Sequence, residues 1–137
     1  MFNTIMVPVD LAHADKLTRA LDIAATVAKG TNAELVFVGV TTGAPSAAAH
    51  TPAEFEARLK TFAHDEAART GARARAETVL SHDPAISLGD DLIREAKALN
   101  ADAIVMASHV PGLAEHVFAS NAGYVASHAP ISVFVVR

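Results

Sequence analysis

The 137-residue chain has no cysteine and no tryptophan, and it has a single tyrosine. Without cysteine there is no disulfide framework, no thiolate zinc site and no thiol nucleophile. Aromatics make up 5% of the residues, so a core has to be built mainly from Val, Ile, Leu and Ala. Basic residues never run together. The 11 Lys and Arg are outnumbered by 15 Asp and Glu, for a net charge of −4, which argues against a nucleic-acid surface. No apolar run approaches the length of a membrane span. Met1 to Asp10 is apolar but carries no basic leader and is ended by Pro8 and Asp10, so it reads as a core strand and not as a signal peptide. Three phosphate and nucleophile motifs are also missing. There is no G-x-x-x-x-G-K-[ST] of a P-loop NTPase, no G-x-G-x-x-G dinucleotide fingerprint after the first strand, and no G-x-S-x-G elbow that would make Ser120 a nucleophile.

What remains is a chain with 51% hydrophobic residues, enough to fold, and of a length that suits one domain over residues 1–137. A cytoplasmic protein is the expectation. Apolar runs at Thr4–Val9, Glu34–Val40 and Asp102–Ala107 fit strands buried on both faces, Ile131–Val136 fits a last strand, and Ala74–Leu80 fits a weaker one. Between them, helical spacing links Leu17, Ala20, Leu21, Ala24, Val27 and Ala28, with Asp15 placed to cap this helix and Gly30 to stop it. Thr51, Pro52 and Glu54 form a capping box with an N1 proline, ahead of an apolar stripe from Phe55 to Ala67 that Gly71 ends. Asp90 or Asp91 is expected to cap a third helix that ends near Asn100, and a short fourth helix is expected from Ser120 to His128. The segments Thr41–His50, Ser81–Gly89 and Ser108–Phe118 read as irregular, the first of them mobile and with little to bury.

This alternation predicts a doubly wound α/β domain: a five-stranded parallel sheet with helices on both faces. In such sheets ligands bind beyond the carboxyl ends of the strands, where the strand order reverses. Two segments reach that place, Pro8 to Asp10 after the first strand and Met106 to Asn121 after the fourth. Asp10 reads equally as an acceptor for a base or ribose and as a turn residue or helix cap. Ser120 and Asn121 open the last helix as an anion site made of backbone N–H groups, or simply as its N-cap. The seven histidines, at 13, 50, 64, 82, 109, 116 and 128, show no metal-ligand spacing and read as scattered surface residues, with His109 alone placed to line a pocket.

Three stretches resemble one family. VPVD at Val7–Asp10 looks like the start of universal stress proteins, ADAIVMASH at Ala101–His109 like their fourth strand and following turn, and ASNAGYVASHAPISVFVVR at Ala119–Arg137 like their last helix and strand. ASHVP followed by SNA looks most like the F/G-type branch. The ATP-binding branch has G-x-x-G, nine residues, then G-[ST]. Here the matching positions hold Ala107, Val110 and Ala119-Ser120, with a spacer one residue shorter.

The resemblance implies strand order 3-2-1-4-5 in a Rossmann-like, adenine nucleotide alpha hydrolase-like fold. It implies a homodimer formed through the last strand, Ile131 to Val136. It also implies a site for ATP or another adenine nucleotide, with or without Mg²⁺. Pro8, Val9 and Asp10 would lie by the base and ribose, with Val40 as a wall for adenine. Met106, Ala107, Ser108, His109 and Gly112 would pass beside the sugar and phosphates, and Ala119, Ser120 and Asn121 would meet the phosphate oxygens. The replaced glycines narrow the clearance there, which favours AMP or ADP over ATP. The expected function is a regulatory module of the stress response acting on an unidentified client protein, with no nucleic acid, no membrane and no strong catalysis of its own. Slow ATP hydrolysis is compatible with it. The alternative is a dimeric stress interaction protein that binds no nucleotide. An ATP-dependent enzyme fits least, because no Lys or Arg lies between Met106 and Tyr124 to serve phosphoryl transfer.

Overall fold

The computed structural model describes residues 1–108 and 117–137, with the side chains of 117–120 outside the description. The elements run β1 (Thr4–Pro8), a 3₁₀ turn (Leu11–Lys16), α1 (Thr18–Thr31), β2 (Glu34–Thr41), α2 (Pro52–Thr70), β3 (Ala74–Leu80), α3 (Pro84–Ala98), β4 (Ala103–Ala107), α4 (Val117–His128) and β5 (Ser132–Val136). The strands form one sheet in the order β3-β2-β1-β4-β5, and all four pairings are parallel. In register, Val7 lies beside Phe37 and Pro8 beside Val38, so β1 and β2 end close together.

The period of two along each strand divides the core between the two faces. On one face Ile5, Val7, Val9, Leu35, Phe37 and Val105 pack under Ala20, Leu21, Ala24 and Ala28 of α1 and Ala63 of α2. On the other, Met6, Val36, Val38, Ile104 and Met106 pack under Leu88, Leu92 and Ala96 of α3 and Ala122 and Val125 of α4. Small helix residues let α1 lie close to the sheet, and the missing aromatic volume is not needed. Phe55 and Leu59 of α2 cover Gly39 so closely that a Cβ there would stand 2.8 Å from the Phe55 ring.

Several helix ends differ from the sequence expectation. Asp15 does not cap α1. Residues Leu11–Lys16 form a 3₁₀ turn capped by Asp10, and α1 starts at Thr18 with no side-chain cap. Gly30 lies inside α1, and Asn32, at φ 57°, takes the left-handed position that ends it. Asparagine tolerates that conformation because its short side chain bonds locally. Asp90 and Asp91 do not cap α3, which begins at Pro84. Proline at the first helical position lacks an N–H that the helix would leave unbonded anyway, and Leu88 extends the stripe through Leu92 to Ala96. Likewise α4 starts at Val117, three residues ahead of Ser120. The N-cap of α2 forms as expected, with the Glu54 carboxylate bonding one residue ahead of the cap. Thr51 Oγ1 accepts from Glu54 N at 3.1 Å, the Glu54 carboxylate reaches back to His50 N at 3.1 Å, and Gly71 closes the helix at φ 76°.

Candidate functional site

The carboxyl ends of β1 and β2 open onto a cleft of about 260 Å³. Asp10, Leu11 and Ala12 form one side, where the chain leaves β1 and turns into the 3₁₀ segment. Val40, Thr41 and Thr42 form the other, at the end of β2. Ser46 to Ala48 close the outer rim, Phe55 of α2 forms part of the floor, and Pro84 at the head of α3 completes the wall. Among the described residues of this lining, Asp10 is the one charged group, and none is Lys or Arg.

The local geometry of Asp10 satisfies both readings of it. Its Oδ1 accepts from Ala12 N at 3.2 Å, and its Oδ2 lies 2.9 Å from His13 Nδ1, which is the work of a turn residue. Asp10 at the same time lines the cleft.

The segment Thr41–His50 is more ordered than its composition suggests. Ser46 N donates to Ala49 O at 2.8 Å, and Ser46 Oγ accepts from Ala48 N at 3.2 Å. Arg58 of α2 donates to Ala48 O at 2.7 Å. Ala48 and Ala49 are buried against Phe55 and Leu59, so this loop does have something to bury. Gly43 supplies the left-handed bend, at φ 86°, that brings Thr42 and Ser46 to the same rim.

Of the expected site residues, the structure brings Asp10 and Val40 together in this cleft. Pro8, Val9 and Met106 are buried, and Val9 and Met106 are core side chains on opposite faces of the sheet. Ala107 and Ser108 are half-buried at the end of β4, where Ser108 N donates to Val136 O at 2.8 Å. His109, Gly112 and Val110 lie outside the described residues, as do the side chains of Ala119 and Ser120. Asn121 is the fifth residue of α4 rather than its opening, so its N–H falls within the helical ladder. Its side chain lies beside Gly89 of α3. Sequence reasoning missed Phe55 and Pro84 as lining, and it placed Thr41 and Thr42 only as part of a mobile loop, 41–50, at the site end of the sheet. Phe55 was legible only as a core residue, and Pro84 only as a loop breaker. No three His, Asp or Glu side chains converge to hold a metal ion among the described residues, and no described helix is long and apolar enough to cross a membrane.

A model of the universal stress protein family matches residues 1–137. The chain belongs to this family. Universal stress protein G of Escherichia coli O157:H7 is similar to it, 30% identical over 148 residues and covering 100% of both chains. Among solved structures, the universal stress protein of Archaeoglobus fulgidus superposes with a TM-score of 0.73 at 23% identity, covering 100% of both chains. A universal stress protein solved in complex with cAMP superposes with a TM-score of 0.70 at 26% identity, covering 99% of this chain and 97% of the other. These structures share the architecture of this universal stress protein: five parallel strands in the order 3-2-1-4-5, as in adenine nucleotide alpha hydrolase-like folds.

Proposed function

We propose that this universal stress protein is a regulatory module that binds an adenine nucleotide in the cleft between the ends of β1 and β2. The observation that carries the reading is the meeting of Asp10 and Val40 across that cleft, an acidic acceptor facing an apolar wall. Adenine presents a flat apolar face and amino hydrogens, and ribose presents hydroxyl hydrogens. Val40 and Phe55 suit the first, and Asp10 with the Thr41 and Thr42 hydroxyls suits the others. A family relative solved with cAMP supports the ligand class. At about 260 Å³ the cleft is smaller than the ~300–1,000 Å³ usual for ligand sites. It would take the base and part of the sugar, leaving the phosphates to extend toward β4. AMP or ADP is then the preferred ligand, and any Mg²⁺ would arrive with the phosphates. The sequence from Met106 to Tyr124, toward which the phosphates would extend, has no Lys or Arg to stabilise a transferring phosphoryl group, which supports a module that binds without strong turnover.

The same reading makes the protein a homodimer through β5. That strand has β4 on one side only, and Phe134 and Val135 stay 37% and 39% exposed. Binding is tested by calorimetry with AMP, ADP and ATP. AMP should bind at least as tightly as ATP, and Asp10→Ala should weaken AMP about fivefold, the equivalent of ~1 kcal/mol. No heat with any of the three at millimolar concentration would favour the other reading, a dimeric interaction protein without nucleotide.

A further inference from the structure

A buried carboxylate lies behind the wall of the cleft and takes no part in lining it. Asp91, in the second turn of α3, is 8% exposed, and Ser81, just past the end of β3, is 5% exposed. Ser81 Oγ donates to Asp91 Oδ2 at 2.6 Å, and Ser87 Oγ donates to the same oxygen at 2.8 Å. Arg94 Nη1 donates to the other oxygen at 3.0 Å. The two hydroxyls stand 3.1 Å apart, and Ser87 Oγ also lies 3.0 Å from Asp83 O. Each hydroxyl has one proton to give, and a carboxylate is the strongest acceptor within reach, so both protons turn toward Asp91. Burial pushes the Asp91 carboxyl up, but the hydroxyls of Ser81 and Ser87 together with Arg94 outweigh it and hold the group below its ordinary value.

This cluster ties three pieces of backbone together. Ser81 N donates to Thr41 O at 3.0 Å, which fixes the start of the β3–α3 turn to the end of β2. Ser87 sits in the first turn of α3, whose N-cap residue Asp83 makes no side-chain capping bond of its own. Asp91 therefore grips both ends of the turn that carries Pro84, and Pro84 and Thr41 are the cleft residues on that side. A carboxylate in mid-helix that reached solvent would do none of this.

We propose that Asp91 is a positioning residue for the cleft: through Ser81 and Ser87 it clamps the turn at residues 81–84 so that Pro84 and Thr41 stand as one wall against a bound nucleotide. This rests on the reading of the cleft as the nucleotide site. Removing the clamp leaves β3 and the apolar face of α3 intact, because Leu88, Leu92 and Ala96 hold the helix to the sheet without it. The loosening is then local.

The test compares wild type, Asp91→Asn and the milder Ser87→Ala in two measurements. Amide hydrogen exchange on the ligand-free protein should speed up at residues 81–87 and 41–44 in both variants, with β1 and β4 unchanged. Calorimetry should show AMP affinity falling at least about fivefold, the size of one lost hydrogen bond. If both variants bind AMP like wild type, or if exchange rises evenly through the whole sheet, Asp91 is a stability element only and the proposal is overturned. If wild type itself binds no AMP, the reading of the cleft fails, and the exchange measurement alone decides whether Asp91 holds this wall.

Discussion

Asp102 shows how much one side chain at a strand end can carry. It precedes β4, and its Oδ2 accepts from Asn3 N at 2.6 Å and Thr4 N at 2.9 Å, pinning the start of β1. The N–H groups of Thr4 and then Asn3 hold its carboxyl below the ordinary value. A carboxyl depressed in the folded state contributes stability that is present above its unfolded pKa, ~3.9, and is lost as pH falls through the lower folded value. Asp102→Asn should therefore cost about 1 kcal/mol at pH 7, modest because the group is only part-buried. In urea unfolding the gap between variant and wild type should be narrower at pH 3 than at pH 7, because the contribution starts to fall once the pH drops below about 3.9. A gap of the same size at both pH values would show that the charge contributes nothing. Asp10 was legible at this scale and Asp91 was not. A residue after a buried strand announces a site at the sheet end. An aspartate on a helix looks like a cap until Ser81, ten positions away, is seen to bond it.

At the scale of elements, strands were read to within a residue or so, whereas of the helix starts only that of α2 was. Strand limits follow from apolar runs, which burial on two faces enforces. Helix starts depend on local backbone choices that several residues can make. Pro84 starts α3 where Asp90 or Asp91 was expected, and at the other end of a helix Asn32 closes α1 where Gly30 was expected. The helix start at Val117 also moves the free N–H groups ahead of Asn121, which changes which residues could meet an anion. β5 carries its own prediction. Ser108 N donates to Val136 O, so in a parallel ladder the backbone groups of Val136 and Phe134 face β4 and those of Val133 and Val135 face outward. Val133 packs on the core, whereas Val135 is exposed. Val135→Pro removes an outward N–H and leaves the β4 ladder whole. It should convert the proposed dimer to monomer in sedimentation without unfolding it. A wild type that is already monomeric at micromolar concentration would rule the dimer out.

On the scale of the whole molecule, alternating elements and apolar strands were enough to anticipate one parallel five-stranded sheet, while its order was what the family resemblance implied. The cleft was half legible. Its acidic side came from a strand end and its Val40 wall from the family resemblance, while Thr41, Phe55 and Pro84 meet there only because the end of β2, the helix α2 and the head of α3 come to the same edge. The central claim is that an adenine nucleotide sits between the ends of β1 and β2. The direct measurement is amide chemical-shift mapping during titration with AMP. The account predicts that the largest changes fall at residues 10–12, 40–42 and 46–48, and that Asp10→Ala abolishes or weakens them. Changes gathered instead at the groove between Lys97 and Ile131, at the opposite end of the sheet, or no changes at millimolar AMP, would contradict it.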